Sequence, residues 1–354
     1  MTAKNATGRM ITIREFAKAS GFSPATISVV MNNSPGVERI PKKTKDRIRK
    51  CARELGYYPN QFARSLRNNR SGSVAVMVPD VSDPYCAQVL LGIDKALYRS
   101  AYLPVLVDIQ NSRERFRKFV GTLFERRIEG VIAVANSLQL QTEMLDIFAE
   151  NQIPVVAIGR ESRHEGISSV SVDNKLGSRL AIAHLYELGH RRIACIRGPK
   201  EVVDSEHRWR GIRDFAEEVS LPLNPKLVVQ LKDTASSSEG GYDATRKLLR
   251  AGLDFTAVMA FDDMTAFGVI RALTQSGLRI PEQCSVVGFD DVASAAHYNP
   301  PLTTIGQSME ELGNIGVSIF LQASQRPRLN GVRGEAVHRS VSPVLVTRSS
   351  TSAV

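Results

Sequence analysis

The chain has 354 residues, too many for one ordinary core, and its 43% apolar and 23% charged residues are typical of a globular protein. Its four cysteines are scattered without a CxxC pair, so neither a disulfide framework nor a zinc site is expected. No N-terminal apolar run resembles a signal peptide and no stretch is long and apolar enough to span a membrane, so we expect the protein to stay in the cytoplasm.

The net charge of +10 is distributed unevenly along the chain. Residues 1–70 contain fifteen Lys or Arg and four acids and therefore carry +11, whereas the remaining 284 residues sum to −1. A basic head on a nearly neutral body is typical of nucleic-acid binding, because neutralising phosphates supplies most of the non-specific affinity. A basic soluble tail is the alternative, but a tail should lack the helical periodicity that follows.

The first predicted helix begins at the segment TIRE, Thr12 to Glu15. This segment fits a capping box, in which the Thr12 side chain and the Glu15 side chain each bind the other residue's backbone N–H. Apolar and small residues then follow at helical spacing, and Gly21 supplies a turn: Ile13, Phe16, Ala17 and Ser20.

The next segment, Phe22 to Asn33, gives two opposed signals. Four β-branched residues favour a strand: Thr26, Ile27, Val29 and Val30. Ser23 and Pro24, however, are a good N-cap and a good first helical residue, and Ile27 lies three and four residues before Val30 and Met31. We therefore predict a second helix, and a helix-turn-helix whose second helix enters the major groove of DNA.

A third helix is predicted from about Lys42 to Leu55, with Gly56 at its end. Its apolar stripe comprises Ile48, Cys51, Ala52 and Leu55. Its other face is basic, with Lys43, Lys45, Arg47, Lys50 and Arg53. A merely solvated basic face is the alternative, but three small helices around one apolar centre form a coherent DNA-binding unit.

The segment QFARSLR, residues 61–67, follows Pro59 and Asn60. It has two turns at most, too few for a helix that is stable alone, so it is either a basic linker or a segment that folds on nucleic acid. Leu66 between Arg64 and Arg67 is typical of a minor-groove wedge, in which an apolar side chain unstacks a base step.

From Ser73 onward, short apolar runs such as VAVMVPD and RIACIRG alternate with amphipathic segments. The first helices of this body are predicted over Pro84–Ser100, Arg113–Arg127 and Thr142–Gln152. Alternating strands and helices imply parallel sheets covered on both faces. The predicted strands are too numerous for a single sheet, so we expect two lobes with a ligand cleft at the carboxyl ends of the strands.

Polar residues gather just after these predicted strands. They include Asp80, Asp83, Tyr85, Arg160, Asp173, Arg208, Asp262 and Asp290. Each residue alone is equally well explained as a helix cap or a turn residue. Together they predict a solvated, charged pocket suited to a small polar ligand.

Enzymatic alternatives have little support. The motifs GxSxG, GxxxxGK[ST], HExxH and GxGxxG are absent, and the six histidines are not paired at metal-ligand spacing. Adjacent acids such as Asp262 and Asp263 have the chemistry for proton transfer or metal binding, but acids at strand ends are more often part of a binding cleft. We expect no catalytic residue, no cofactor and no metal.

Several segments resemble the LacI/GalR family of bacterial transcriptional regulators. The similarity runs in order from about Ile11 to Thr351 and includes TIREFAKASGFSPATIS, ELGYYPNQFARSLR, SVAVMVPD, GFDD and NPPLTTI. The resemblance implies an α/β protein with an N-terminal three-helix helix-turn-helix headpiece, a hinge helix and a two-lobed, periplasmic-binding-protein-like core with parallel sheets. It also implies that Leu66 intercalates in the minor groove.

The resemblance places a set of residues at the DNA. Pro24, Ala25 and Val29 match the base-contacting surface of the second helix, and Thr26 and Ser28 flank it. The full set is Thr12, Ser23, Pro24, Ala25, Thr26, Ser28, Val29, Asn32, Asn60, Ala63, Arg64, Leu66 and Arg67. Val29 stands where relatives commonly have arginine, which favours contact with a thymine methyl over bidentate contact with guanine.

The resemblance likewise implies an effector site. Its residues are Asp83, Tyr85, Arg160, Asp173, Arg208, Ser236, Asp262 and Asp290. Arg208 and Asp290 match the family most closely, whereas Asp262 replaces a frequent asparagine and Ser236 a frequent aromatic residue. We expect a small polar effector, a sugar or sugar derivative, with a charged or larger molecule as the alternative to a plain hexose.

The predicted domains are a headpiece at 1–58, a hinge helix and linker at 59–71, and a core for effector binding and dimerisation at 72–354. Within the core, the N-lobe spans about 72–171 and 307–336, and the C-lobe about 172–306 and 337–351. No C-terminal leucine heptad supports tetramerisation, so we expect a homodimer on a pseudopalindromic operator.

We therefore expect a ligand-responsive transcriptional regulator, most simply a repressor. The main rival is a sugar-binding transport component with the same body fold, which would need a signal peptide and no basic helical head. A sugar- or nucleoside-processing enzyme is the third alternative.

Overall fold

The computed structural model describes residues 11–58, 71–135, 142–162, 166–200, 202–232, 237–325 and 335–354. The chain divides into two compact units, Met1–Ser71 and Gly72–Val354, and each is described by itself.

The first unit contains three helices, α1 (Ile13–Ser20), α2 (Pro24–Met31) and α3 (Lys42–Leu55), with a 3-10 turn at Val37–Arg39. The capping box that was predicted for α1 is present: the backbone N–H of Thr12 lies 2.7 Å from Glu15 Oε2, and that of Glu15 lies 3.3 Å from Thr12 Oγ1. Both α1 and α3 end at a left-handed glycine, Gly21 and Gly56, as predicted. The β-branched segment is helical, as predicted.

Six side chains form the buried centre of this unit: Phe16, Ile27, Val30, Ile48, Ala52 and Tyr57. The rings of Phe16 and Tyr57 are stacked with centroids 4.6 Å apart. The inward direction of Ile27 and Val30 is confirmed. Packing against this centre therefore stabilises a helix whose β-branched residues give it little propensity of its own.

The second unit alternates strands and helices. Its strands are β1 (Ser73–Val78), β2 (Leu103–Asp108), β3 (Val131–Val134), β4 (Val155–Ile158), β5 (Ile167–Val172), β6 (Ile193–Arg197), β7 (Val228–Gln230), β8 (Ala257–Met259), β9 (Ser285–Val287), β10 (Thr304–Gly306), β11 (His338–Val341) and β12 (Val344–Val346). Its helices are α4 (Pro84–Tyr98), α5 (Arg113–Glu125), α6 (Thr142–Glu150), α7 (Asn174–Glu187), α8 (Val203–Glu218), α9 (Ser238–Arg250), α10 (Asp263–Gln275) and α11 (Met309–Gln325).

Within the described residues the strands form two parallel sheets and one antiparallel pair. The N-lobe contains a six-stranded sheet in the order β11-β5-β4-β3-β1-β2, and the C-lobe a four-stranded sheet in the order β7-β6-β8-β9. Strands β10 and β12 pair antiparallel, and bridges from Thr303 and Gly306 join this pair to the C-lobe sheet. The predicted two-lobed fold with parallel sheets is confirmed.

Strand β1 shows why both faces of the N-lobe sheet are covered. Val74, Val76 and Val78 point to one face and pack in a cluster that includes residues of α4 and α11. Ala75 and Met77 point to the other face and pack with residues of α5 and α6. Alternate side chains of a strand lie on opposite faces, so an uninterrupted apolar run is what a doubly covered sheet requires.

The predicted boundary at residue 337 is wrong. Residues 337–351 were assigned to the C-lobe, but β11 runs parallel to β5 in the N-lobe sheet, with Val341 opposite Val172. The sequence HRSV lacks an apolar alternation because β11 is an exposed edge strand. The chain therefore returns to the C-lobe only between β11 and β12.

The helices α4, α5 and α6 begin where predicted and end two residues earlier than predicted. Close packing of α11 on α4 depends on glycine, because a side chain at Gly92 would collide with the backbone of Glu310. In the described part of the chain, no helix has the length and apolar character needed to cross a membrane.

Candidate functional site

The outer surface of α2 carries the residues predicted to contact bases. Pro24 and Ala25 are exposed, and Thr26, Ser28 and Val29 are half-buried at the edge of the apolar centre. Because Ile27 and Val30 are fully packed below them, the position of this surface is fixed by the core of the first unit.

Three other predicted DNA-binding residues stabilise helix ends. Ser23 Oγ accepts a 3.1 Å bond from the Thr26 N–H and so caps α2, as Thr12 caps α1. At the other end of α2, Asn32 Nδ2 donates a 2.9 Å bond to the Ser28 carbonyl oxygen. These contacts stabilise the turn and α2 within the unit itself.

Helix α3 adds positive charge to the unit. Its exposed cations are Lys42, Lys43, Arg47, Arg49, Lys50 and Arg53. The Arg47 guanidinium also lies 5.4 Å from the ring centroid of Phe22. The remaining predicted DNA-binding residues lie outside the described residues: Asn60, Ala63, Arg64, Leu66 and Arg67.

A cavity of about 300 Å³ lies between the two lobes of the second unit. The N-lobe lines it with Pro79, Asp80, Ser82, Asp83, Pro84, Tyr85 and Asn111. The C-lobe lines it with Val202, Asp204, Arg208, Ser237, Ser238, Phe261, Asp262, Met264 and Asp290. The cavity follows the carboxyl ends of β1, β6, β8 and β9, which is where open α/β sheets bind ligands, and its size suits a small metabolite.

Arg208, on α8, is the centre of the C-lobe wall. Its Nε donates to Asn174 Oδ1 at 2.8 Å, its Nη1 to the Phe261 carbonyl oxygen at 2.6 Å, and its Nη2 to Asp290 Oδ1 at 3.4 Å. The rings of Phe261 and Phe289 lie 4.6 and 3.6 Å from the guanidinium carbon. Because these contacts fix the plane of the buried guanidinium, Arg208 is preorganised to present its N–H donors to a ligand.

Asp290 links this wall to the segment between the lobes. Besides Arg208, its Oδ1 accepts a hydrogen bond from Nε2 of Gln307, a buried residue between β10 of the C-lobe and α11 of the N-lobe. Burial raises the pKa of the Asp290 carboxyl, and the charge of Arg208 opposes that rise. Burial also raises the pKa of the Tyr85 hydroxyl, and the nearby charges of Asp204 and Asp290 raise it further.

The structure brings together five of the predicted effector residues around the cavity: Asp83, Tyr85, Arg208, Asp262 and Asp290. Asp83 and Asp262 also cap α4 and α10, so the capping interpretation holds for these two residues, and both still face the cavity. Ser236 lies outside the described residues, although the adjacent Ser237 and Ser238 line the cavity.

Two predicted effector residues are not brought to the cavity wall. Asp173 is exposed and caps α7 through a 2.8 Å bond from the Leu176 N–H, whereas its neighbour Asn174 is buried and holds Arg208. Arg160 does not line the cavity, and its buried Nη1 has no hydrogen-bond partner among the described residues. Burial lowers the pKa of Arg160, and the charge of Asp204 opposes this.

Two residues that line the cavity were not predicted: Phe261 and Asp204. Asn174 was predicted only as a polar residue after a strand end and not as a site residue, and it holds Arg208 from behind the cavity wall. Asp204 stands one helical turn before Arg208, and this i, i+4 spacing was a signal that the two share a face of α8. Burial raises the pKa of the Asp204 carboxyl, and the positive charges of Arg208, His207 and Arg160 oppose the rise.

Comparisons with known proteins agree with both units. Residues 12–60 match the model of bacterial regulatory proteins of the lacI family, and residues 182–351 match that of a periplasmic binding protein-like domain. The HTH-type transcriptional repressor PurR of Haemophilus influenzae strain PittEE is 31% identical over 346 residues, covering 98% of this chain and 100% of that protein.

Solved structures give the same result. The lac repressor dimer bound to operator and the anti-inducer ONPF has a TM-score of 0.81 and 26% identity, over 98% of this chain and 100% of that chain. The complex of the transcriptional regulator CelR with cellobiose has a TM-score of 0.70 and 28% identity, over 96% and 99%. Together with the helix-turn-helix and the two-lobed core, these matches establish that the chain belongs to the lacI family of bacterial regulatory proteins and is a DNA-binding transcriptional regulator.

Proposed function

We propose that the protein is a transcriptional repressor that binds a pseudopalindromic operator as a homodimer and responds to a small polar effector. Residues 1–58 bind DNA, residues 59–71 form the hinge, and residues 72–354 bind the effector and dimerise. The observation that carries the proposal is the pairing of a basic helix-turn-helix with a cavity built by both lobes. The protein acts in the cytoplasm, at the nucleoid, because operator DNA is its partner.

In this proposal α2 lies in the major groove. Pro24, Ala25 and Val29 contact bases, and the residues that cap or flank α2 and α1 contact phosphates. Val29 brings methyl groups to a thymine, because it cannot make the bidentate hydrogen bonds that guanine accepts from arginine. Leu66 enters the minor groove between Arg64 and Arg67.

A homodimer is supported by the edge of the N-lobe sheet. β2 is the last strand of that sheet, and its Leu103 and Leu106 are 60% and 52% exposed; Tyr98, at the end of α4, is 89% exposed. An edge strand that exposes large apolar side chains associates with another chain unless it is protected. The second copy of this chain is the proposed partner, since two headpieces related by a two-fold axis match two half-sites.

Effector binding controls DNA binding through the lobes. The effector, a sugar or sugar derivative, contacts Arg208 and Asp290, and Asp290 is hydrogen-bonded to Gln307 in the segment that joins the lobes. A ligand that favours one arrangement of the lobes shifts the equilibrium between two states of the hinge, and hence the affinity for DNA.

The test is selection of genomic DNA fragments on the full-length protein, followed by footprinting of the enriched fragments. We expect one enriched sequence with two inverted half-sites, protected over both halves. Deletion of residues 1–70 is the control, and it should remove the selective binding. A truncated protein that shifts the same DNA as well as the full chain would contradict the assignment of DNA binding to the headpiece.

A further inference from the structure

The carboxylate of Asp204 differs from its neighbours in the cavity. Asp204 is 8% exposed and lines the cavity, yet its carboxylate has no hydrogen bond to any residue that the structure describes. By contrast, Asp80 accepts bonds from Ser82, and Asp83 accepts one from the Tyr85 N–H.

The other two carboxylates of the cavity also have protein donors. Asp290 has Arg208 and Gln307, and Asp262 Oδ1 accepts a 2.7 Å bond from the Thr265 N–H. Buried polar groups in folded proteins are nearly always hydrogen-bonded, because an unpaired buried carboxylate is costly. The Asp204 carboxylate, at the cavity wall, is therefore available to a partner from outside the protein.

The charges that line the cavity are unbalanced. Among the described lining residues, five are aspartates, and the single cation is Arg208. Arg208 is already engaged with Asn174, Phe261 and Asp290. The cavity therefore offers a ligand more hydrogen-bond acceptors than donors, and an excess of negative charge.

Arg160 is the nearest alternative partner for Asp204. It follows β4 of the N-lobe, whereas Asp204 lies on α8 of the C-lobe. Each charge acts on the pKa of the other residue, but among the described contacts the two form neither an ion pair nor a hydrogen bond. The Arg160 Nη1 is itself buried and unpaired, so Arg160 does not satisfy the Asp204 carboxylate in this arrangement of the lobes.

We propose that Asp204 determines the specificity of the cavity by binding a protonated amino group of the effector. The inference rests on the proposed ligand-dependent regulation and specifies its ligand: a small polyhydroxylated molecule with a primary amine, such as an amino sugar. The ammonium binds Asp204, while hydroxyl groups of the same molecule contact Arg208 and Asp290. The ammonium is a three-fold donor without acceptors, which suits an acceptor-rich wall.

The experiment compares matched ligand pairs on the full-length protein by isothermal titration. The probes are D-glucosamine and D-glucose, D-galactosamine and D-galactose, and D-mannosamine and D-mannose at pH 7. We expect at least one amine to bind at least tenfold more tightly than its neutral partner, since a charge-assisted bond replaces a neutral one. Asp204→Asn should remove most of that preference, and Glu206→Gln, an exposed position on the same helix, should leave it unchanged.

Three results would overturn the proposal. One is that no amine binds at least tenfold more tightly than its neutral partner, and another is binding of none of the six probes. The third is a lower melting temperature of unliganded Asp204→Asn, because that would mean that the carboxylate has a protein partner, such as Arg160. Operator binding by the same samples keeps the two proposals distinct: a neutral sugar that releases or recruits DNA leaves ligand-dependent regulation standing while the amine inference fails.

Discussion

The hydrogen bonds of the headpiece and those of the inter-lobe cavity differ in how far apart in sequence the bonded residues are. In the headpiece, Thr12 bonds to Glu15, Ser23 to Thr26 and Asn32 to Ser28, at separations of three and four residues. In the cavity, Arg208 bonds to partners 34, 53 and 82 residues away. The proposed DNA-contacting helix α2 is therefore positioned by its own turns and a small apolar centre, whereas the wall of the proposed effector cavity forms only when distant parts of the C-lobe have come together.

The sharpest way to test this separation is to remove the centre of the headpiece. Phe16→Ala deletes a fully buried ring that stacks on Tyr57. The change should lower the free energy of unfolding of the headpiece by about 4 kcal/mol, a loss large enough to unfold a unit of this size. Operator binding should be lost.

The only tryptophan of the chain, Trp209, lies on α8 and reports on the C-lobe in a urea titration. Its fluorescence transition should be unchanged in Phe16→Ala. A transition displaced to lower urea would mean that the headpiece and the C-lobe unfold together rather than independently.

Arg208→Ala is the converse change. It leaves Asn174 and the Phe261 carbonyl without this donor and Asp290 with Gln307 alone, and breaking a buried charged network costs about 3 kcal/mol. The Trp209 transition should move to lower urea and the effector response should disappear, while operator binding is retained.

Arg210→Ala is the matched control for that variant, because Arg210 lies on the same helix and, among the described contacts, makes an exposed one with Glu206 alone. Its stability should change by less than about 0.5 kcal/mol. An unaltered effector dose–response in Arg208→Ala would remove Arg208 from the site.

Thr12→Ala tests a local contact by itself. Loss of the N-cap should destabilise the headpiece by about 1 kcal/mol and weaken operator binding in proportion, without any change in the Trp209 transition. Thr12→Ser keeps the hydroxyl and should restore both properties. If Thr12→Ser binds DNA as weakly as Thr12→Ala, the contribution of Thr12 lies in its methyl group rather than in the cap.

The smallest effect concerns pH and His190, whose side chain contacts Thr256, Ser285 and the Ser352 carbonyl oxygen. Burial lowers the pKa of His190, so the unfolded chain binds the proton more readily than the folded one. The resulting stability is present above the unfolded pKa of about 6.5 and is lost as the pH falls below it.

His190→Gln should therefore flatten the pH dependence of the melting temperature between pH 7 and 5 relative to the unsubstituted chain. The comparison of the two proteins isolates His190 from the buried carboxyl groups, such as Asp204 and Asp290, whose raised pKa values act with the opposite sign. Parallel pH profiles would contradict the assignment.

The difference between contacts that are local in sequence and contacts between distant residues also explains what the sequence could predict. The ends of α1, α2 and α3 followed from short signals at Thr12, Ser23 and Gly56, and these were correct to the residue. α5 and α6 ended early because Arg127 and Gln152 adopt left-handed conformations, with φ of 52° and 56°, in which glycine or asparagine is the usual residue.

The cavity was predicted only in outline. Strand ends indicated Arg208, Asp262 and Asp290, because the carboxyl ends of parallel strands meet at one edge. They could not indicate that Asn174 rather than Asp173 faces Arg208, since that choice depends on how α7 packs against α8. Asp204 was missed although it lies one turn before Arg208 on α8, because its place at the cavity wall depends on the packing of both lobes.

The interleaving of the chain between the lobes has a consequence for synthesis on the ribosome. α11 covers the N-lobe sheet, where Phe320 packs on Gly130 and Gly316 lies against Ile158, and β11 completes that sheet. Both segments are translated after the whole C-lobe sheet. A nascent chain with its headpiece and C-lobe strands already made therefore still exposes the apolar face of β3 and β4, and this face is where we expect chaperones to bind until α11 emerges.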